Sequence, residues 1–191
     1  MILPWPSRLP PRTEACPSGS AIRDWCLFVD VDGTLVEFAP SPNAAHVPAG
    51  LKMRIQALQQ ALNGALALLS GQPLQRLDSM FAPLRLPAAG IHGMERRDAA
   101  GRLHGGREGT ARSALPDKAD AIAAFLGEQP FAGRKPIFIG DDVSDMGGFQ
   151  VVKQHGGMTI AVGDALAADR QLVNPRAVNH WLSNFLATGE P

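Results

Sequence analysis

The sequence places pairs of acidic residues at two points where a short apolar run ends. Asp30 and Asp32 follow the run 26–29, and Asp141 and Asp145 follow another such run. Two carboxylates one residue apart repel each other unless a cation or a transferred proton separates their roles. Alternation along an extended backbone also aims Asp30 and Asp32 differently, so one can attack while the other handles a proton. If the two runs are sheet neighbours, Asp30, Asp141 and Asp145 present three hard oxygen ligands that suit Mg²⁺.

Each cluster also has an ordinary structural explanation. Asp and Gly are common turn residues, so the sequence DVDG at positions 30–33 is equally typical of a turn. In the second cluster, Asp142 or Ser144 can cap a helix N-terminus. The capping explanation is sufficient for Asp142, and we do not extend it to all three aspartates of that cluster.

A hydroxyl and a lysine add groups that suit a phosphate. Ser70 and Gly71 follow an apolar run and lead into a helical segment, where a hydroxyl and exposed backbone N–H groups can bind a phosphate oxygen. Ser70 can equally be a plain N-cap. Lys118 opens another helical segment, where a lysine opposes the helix dipole, so we interpret it as a cation recruited by a nearby anion. The alternative is a solvated surface lysine.

These residues lie on a regular alternation of strands and helices. Apolar runs that predict buried strands cover residues 26–29, 65–69, 88–91, 136–139 and 158–162, and helical periodicity covers 51–62, 74–81, 118–126, 145–154 and 177–186. The alternation predicts an α/β fold with a doubly wound parallel sheet and a ligand site beyond the C-terminal strand ends. Segment 93–112 is an exception to this alternation, and residues 97–102 within it are predicted to form a hairpin tip. Residues 1–23 are predicted as a proline-rich arm, and residues 24–191 as one core domain.

Composition argues against several classes of partner. The chain has 191 residues, and its 18 Lys+Arg and 18 Asp+Glu give a formal net charge of +0, so it has no long-range field to attract nucleic acid or an anionic membrane. We expect no targeting segment and no membrane span. Cys16 and Cys26 form neither a disulfide framework nor a metal signature, which predicts a reducing, cytoplasmic location.

Four ordered elements of the chain resemble the haloacid dehalogenase-like (HAD) phosphatases. These elements are DVDGTL at 30–35, Ser70, Lys118 and GDDVSD at 140–145. Within that superfamily the chain is most similar to the trehalose-6-phosphate phosphatases, on FAPSP at 38–42, GIHGMERR at 90–97, and GF at 148–149 after the last acidic cluster. The similarity runs from about residue 24 to residue 186. It implies a Rossmann-like three-layer sheet of strand order 5-4-1-2-3, Mg²⁺ dependence, and phosphoryl transfer onto an aspartate.

The resemblance also implies a role for each matching residue. Asp30 would be the nucleophile and Asp32 the general acid and base. The phosphate would be bound by Ser70, Gly71, Lys118, Gly33 and Thr34. Mg²⁺ would be bound by Asp30, Asp32 through its backbone carbonyl, and Asp141, with Asp145 in support. Candidate substrate contacts are Gln72, His92 and Glu95, and for His92 and Glu95 a hairpin-packing role is an equal alternative.

The chain departs from the family pattern in three respects. Gln72 stands where the family commonly has arginine, and Met146 stands where an acidic residue is usual. The stretch between Gly93 and Lys118 is too short for the cap domain that the family inserts there, so the cap is expected to be absent or reduced to a short hairpin. A missing lid leaves the chemistry intact but removes a source of substrate selectivity.

The resulting expectation is a phosphoric monoester hydrolase that is Mg²⁺-dependent and works through an aspartyl-phosphate. Trehalose 6-phosphate is the leading substrate. The alternatives are a cap-less phosphatase of broad or macromolecular substrate range and a weakly active binding or scaffold protein. We also expect self-association through residues 105–114, in which a second subunit covers the uncapped site.

Overall fold

The structure is a computed structural model that describes residues 22–37, 47–105 and 117–191. The predictions for most of the arm 1–23, for the segment 38–42 and for nearly all of the self-association segment 105–114 therefore lie outside the described residues. In chain order the elements are β1 Trp25–Asp30, α1 Ala49–Ala61, β2 Leu66–Leu69, α2 Leu74–Phe81, β3 Ala88–Gly90, β4 Glu95–Arg97, β5 Leu103–Gly105, α3 Lys118–Leu126, β6 Lys135–Gly140, α4 Met146–Gln154, β7 Met158–Val162, β8 Arg170–Leu172 and α5 Pro175–Thr188.

The strands form one sheet in the order β5-β4-β3-β2-β1-β6-β7-β8. The five predicted strands β7-β6-β1-β2-β3 are all parallel and follow the expected order 5-4-1-2-3, so the predicted fold class is confirmed. The predicted hairpin is also confirmed, because β4 and β5 pair antiparallel at one edge. The sequence did not predict β8 at the other edge, because its three residues contain no apolar run.

The central strands are buried on both faces, which anchors the ends that carry polar groups. All six residues of β1 are buried. Phe28 in β1 packs against Phe125 in α3 and against Phe131, with ring centroids 6.0 and 5.4 Å away. Helix α4 approaches the sheet closely at Gly148, where a Cβ atom would lie 2.6 Å from the Phe138 ring. This packing fixes α3 and α4 against the strands whose ends they flank.

The β4–β5 hairpin is held by its own ion pairs. The carboxylate of Asp98 at its tip accepts hydrogen bonds from the backbone N–H groups of Ala100 and Arg102 and from the side chain of Arg102, and it contacts the imidazole of His104. Apart from this hairpin, the described residues contain nothing in the place of a cap domain. None of the described helices is long and apolar enough to span a membrane.

Candidate active site

Three neighbouring parallel strands bring the sequence-predicted polar residues to one edge of the sheet. Strand β1 ends at Asp30, β2 is followed by Ser70, and β6 is followed by Asp141. Because β1 pairs with both β2 and β6, these three strand ends are adjacent. The expectation that the two acidic clusters meet is therefore confirmed, and the site lies where doubly wound sheets bind their ligands.

The ammonium group of Lys118 lies between two buried carboxylates. Its Nζ atom donates hydrogen bonds to Asp30 Oδ1 at 2.6 Å and to Asp145 Oδ1 at 2.7 Å. The lysine is 4 % exposed, which excludes a solvated surface lysine. Burial alone would lower the pKa of Lys118, but the charges of Asp30 and Asp145 raise it above its ordinary value, so the group stays charged.

Asp145 holds the turn that follows β6. Its Oδ2 atom accepts hydrogen bonds from the backbone N–H groups of Asp141 and Asp142 at 3.1 and 3.2 Å. A Cβ atom at Gly140 would lie 2.6 Å from this carboxylate, so only glycine leaves room for it. The side chain of Asp142 is exposed and forms a capping box over the same turn, in agreement with its capping explanation.

The acidic cluster fits a hard divalent cation. Asp30, Asp141 and Asp145 each offer a carboxylate oxygen within 4.8 Å of the others. Burial raises the pKa of Asp30, and the charge of Asp145 adds to that effect; burial likewise raises the pKa of Asp141. The cluster therefore holds three carboxylates and one ammonium group. Mg²⁺ would neutralise the excess negative charge, and carboxylate oxygens are ligands of the type that it prefers. Both oxygens of Asp145 already have partners, which suits a supporting position better than a direct ligand.

Thr34 fixes the orientation of Asp141 from the turn after β1. Its buried hydroxyl donates to Asp141 Oδ1 at 2.9 Å. Gly33, with φ 84°, lets the chain reverse, and its N–H donates to the carbonyl of Val36 at 2.8 Å. Sequence reasoning assigned Thr34 to phosphate binding by resemblance, and its hydrogen bond to a candidate metal ligand was missed.

Asp32 contacts the turn that follows β2. The Gln72 side-chain amide donates to Asp32 Oδ1 at 3.1 Å and Oδ2 at 3.0 Å, and the Ser70 hydroxyl lies 3.4 Å from Oδ2. The backbone N–H of Gln72 donates to the same hydroxyl at 3.0 Å. The candidate acid and base therefore sits beside the candidate phosphate-binding serine, and Gln72 contacts both.

His92 and Glu95 pack around the Ser70–Gln72 turn. The imidazole of His92 is so close to Gly71 that a Cβ atom there would lie 2.8 Å from the ring. Glu95 Oε2 accepts a hydrogen bond at 2.9 Å from the N–H of Leu74, the first residue of α2. A role in substrate contact stays a prediction for both. Pro73 occupies the N-cap position of α2 and has no side-chain acceptor, so an acceptor for the first N–H groups of the helix must come from elsewhere in the chain. This proline is the sequence feature that could have pointed to the hydrogen bond from Leu74 to Glu95.

A second group with metal-like spacing is an ion-pair network. Asp98, His104 and Glu128 offer ligand atoms within 4.8 Å of one another. Both Glu128 oxygens already accept from Arg96, and Asp98 accepts from Arg102 and contacts His104. The guanidinium groups provide the positive charge that these carboxylates need, so the network requires no metal.

A groove of about 670 Å³ lies between α4 and the residues that precede β8. Its lining includes Phe149, Leu166 and Lys153, and it contains none of the predicted site residues. The candidate catalytic groups Asp30, Asp141 and Lys118 lie instead at the carboxyl edge of the sheet.

Comparison with known proteins gives one consistent family. The family model described as trehalose-phosphatase matches residues 28–108. A probable trehalose-phosphate phosphatase of Sinorhizobium fredii is 33 % identical over 216 residues, covering 78 % of this chain and 82 % of the relative. Trehalose-6-phosphate phosphatase of Escherichia coli is 32 % identical over 240 residues, covering 90 % and 89 %. Both alignments are longer than this 191-residue chain, so the relatives contain residues with no counterpart here.

Solved structures support the same fold. The C-terminal domain of a Candida albicans trehalose-6-phosphate phosphatase has a TM-score of 0.72 at 14 % identity, covering 85 % of this chain and 92 % of that one. A HAD-superfamily phosphatase of Bacteroides thetaiotaomicron has a TM-score of 0.65 at 12 % identity, covering 93 % and 99 %. Identities this low establish the architecture alone.

Proposed function

This chain belongs to the trehalose-phosphatase family of phosphoric monoester hydrolases, and from that premise we propose that it hydrolyses trehalose 6-phosphate to trehalose and inorganic phosphate with Mg²⁺. The observation that carries the proposal is the contact between buried Asp30 and Lys118 at 2.6 Å, beside a partly exposed Asp32. We assign the reaction to the cytoplasm, in keeping with the free, buried thiol of Cys26.

The chemistry that we propose divides between two carboxylates. A carboxylate oxygen of Asp30 attacks the phosphorus, and the bond from phosphorus to the sugar oxygen breaks while protonated Asp32 donates its proton to that oxygen. Asp32 then takes a proton from water, which attacks the aspartyl-phosphate and releases phosphate, so that Asp30 returns to its starting state. The Lys118 ammonium and the Ser70 hydroxyl hold phosphate oxygens during both steps.

Asp30, Asp141 and the backbone of Asp32, with Asp145 in support, are the groups that would hold Mg²⁺. When bound, the ion supplies charge neutralisation that lets an anionic carboxylate approach an anionic phosphate ester. The protein's own contribution is to keep these groups fixed before substrate binds, since burial and hydrogen bonds leave Asp30 and Asp145 little freedom.

Phosphate release from trehalose 6-phosphate and from p-nitrophenyl phosphate, each measured with Mg²⁺ and with EDTA, tests the proposal. We expect release that depends on Mg²⁺ and that falls by roughly 10³-fold or more in Asp30→Asn. The matched control is Asp24→Asn, which makes the same change at an exposed position before β1 and should leave activity unchanged. Metal-independent release, or an Asp30→Asn variant as active as the parent, would refute it.

The open site also supports a second candidate, a phosphatase of broad or macromolecular substrate range. The described residues contain no cap over Asp32 and Gln72, which are both partly exposed, so nothing among them restricts the size of the leaving group. The ratio of kcat/KM for trehalose 6-phosphate to that for a phosphoserine peptide separates the two. A ratio well above one favours the disaccharide, and a ratio near or below one favours the broad phosphatase. Efficient turnover of either ester excludes a scaffold without activity.

A further inference from the structure

Gln72 is a polar residue of the site to which the proposed chemistry gives no task. We propose that Gln72 is a positioning residue that orients the Asp32 carboxylate for proton transfer to the leaving oxygen. The inference rests on the proposed function, because it concerns the residue that acts there as general acid and base.

The contact between Gln72 and Asp32 is a three-centre hydrogen bond that involves both carboxylate oxygens. Nε2 lies 3.1 Å from Oδ1 and 3.0 Å from Oδ2, so the amide contacts both oxygens. A donor placed midway between the two oxygens favours the orientation in which both oxygens face Gln72. The Ser70 hydroxyl, at 3.4 Å from Oδ2, is a weaker partner.

Gln72 couples Asp32 to the phosphate-binding side of the site. Its backbone N–H donates to Ser70 Oγ at 3.0 Å while its side chain holds Asp32. One residue thus sets the distance between the hydroxyl proposed to bind phosphate and the carboxylate proposed to protonate the leaving oxygen. A fixed distance of this kind is what efficient proton transfer requires.

The chain that follows β3 holds the backbone of Gln72 in place. Its carbonyl accepts a hydrogen bond from the N–H of Ile91 at 3.0 Å, and a Cβ atom at Gly90 would lie 2.7 Å from that carbonyl. Ile91 has φ 47°, a conformation that a β-branched residue rarely adopts and that is retained only where the surroundings require it. Glu95 adds its hydrogen bond to Leu74 two residues further on. The amide therefore projects from a rigid backbone.

The chemistry of an amide suits this task. It has no net charge, so it can donate to one oxygen of protonated Asp32 while the other oxygen carries the proton, whereas a cation at this position would favour the ionised carboxylate. A substrate-binding role predicts something different, because losing Gln72 would then weaken phosphate affinity. The two roles can therefore be separated by kinetics.

Gln72→Met tests the proposal, because methionine has a similar length and no donor. Gln75→Met, the same change at an exposed position on α2, is the control. The measurements are kcat/KM for an alkyl ester (trehalose 6-phosphate or glycerol phosphate), kcat/KM for p-nitrophenyl phosphate, and the inhibition constant of inorganic phosphate, all with Mg²⁺. A nitrophenolate leaves without a donated proton, whereas an alkoxide needs one.

We expect Gln72→Met to lower kcat/KM for the alkyl ester by roughly 10- to 100-fold, with a much smaller loss for the aryl ester and an unchanged phosphate inhibition constant. Equal losses on both esters, a raised phosphate inhibition constant, or no loss would each overturn the inference. A parent protein that hydrolyses neither ester refutes the proposed function itself, which is a different outcome from an active parent with an unaffected variant.

Discussion

Replacing Lys118 by methionine removes the one cation that contacts Asp30 and Asp145 among the described residues. Lys118 is 4 % exposed, Asp30 4 % and Asp145 0 %, so water cannot take the place of the lost ammonium. The two hydrogen bonds of 2.6 and 2.7 Å disappear together, and two carboxylates remain buried near each other. Removing one partner from a buried ion pair costs about 3–5 kcal/mol of unfolding free energy. That loss is a large fraction of the roughly 5–15 kcal/mol that stabilises a typical domain.

The destabilisation depends on pH, and its sign follows from the raised pKa of Asp30. Burial raises that pKa in the parent, and losing Lys118 raises it further, because the charge that opposed the effect is gone. A carboxyl group whose pKa is higher in the folded state binds more protons there than in the unfolded chain. Its stabilising effect is complete below its ordinary pKa and is lost as the pH rises through the folded-state value. The deficit of Lys118→Met therefore grows as the pH rises through the folded-state pKa of Asp30 in the parent.

Urea unfolding in EDTA, followed by tryptophan fluorescence, measures this deficit without bound metal. Lys153→Met is the matched control, because Lys153 pairs with Asp169 at the surface and its side chain is 53 % exposed. A surface pair of this kind contributes about 1 kcal/mol or less. The double variant Lys118→Met/Asp145→Asn should recover part of the loss. A deficit no larger than that of Lys153→Met, or one that shrinks as the pH rises, would contradict the reasoning.

Three further outcomes test other parts of the molecule. Phe131→Ala removes one ring of the aromatic cluster under β1 and should lower the unfolding free energy by about 3–5 kcal/mol in urea titrations, whereas Leu103→Ala, at a position 68 % exposed, should change it little. Burial alone would raise the pKa of Asp98, but its hydrogen-bond donors hold it well below the ordinary range, so its stabilisation begins to fall below about pH 4 and is lost only at the lowered folded-state pKa, and the difference between thermal melts of Asp98→Asn and of the parent should shrink steadily over that range. Gly93 has φ 110° and faces the carbonyl of Asp117, so Gly93→Ala should lower the unfolding free energy by about 2 kcal/mol or more. It should also lower kcat, because the start of α3 would shift. Thermal melts and rate assays on the same variant measure the two effects.

Each of these outcomes has a clear contrary result. A Phe131→Ala loss as small as that of the exposed control would mean that the cluster does not anchor α3. A constant difference between Asp98→Asn and the parent across acidic pH would mean that the carboxylate is not stabilised in its charged form. A fully stable and active Gly93→Ala would mean that the turn can move without disturbing the site.

The fold was largely predictable because its signals are long and local. Five apolar runs and five helical stretches cover the central sheet and its two faces, and the predicted bounds of α2 and α3 match the structure. β8 escaped prediction because Arg170, Gln171 and Leu172 become a strand only by pairing with β7. Pairing of this kind depends on the tertiary neighbour, and the local sequence does not encode it.

The site was predictable as far as strand ends determine it. Asp30 and Asp141 could be brought together by topology alone, because parallel neighbours end at the same edge. The contact of Gln72 with Asp32 could not, since it depends on a side-chain rotamer and on a turn held by residues some twenty positions further along the chain. The Glu95 cap of α2 is of the same kind, because it joins residues separated by 21 positions.

The connection between β5 and α3 is a place where substrate recognition could be changed without changing the groups proposed to perform the reaction. Every group proposed to perform the reaction comes from the end of β1, from the turns after β1, β2 and β6 or from the first residue of α3, and none comes from residues 106–116. A chimera with an added domain inserted between residues 105 and 117 would leave all of these groups in place, so we expect it to keep the proposed reaction and to change which leaving group is favoured.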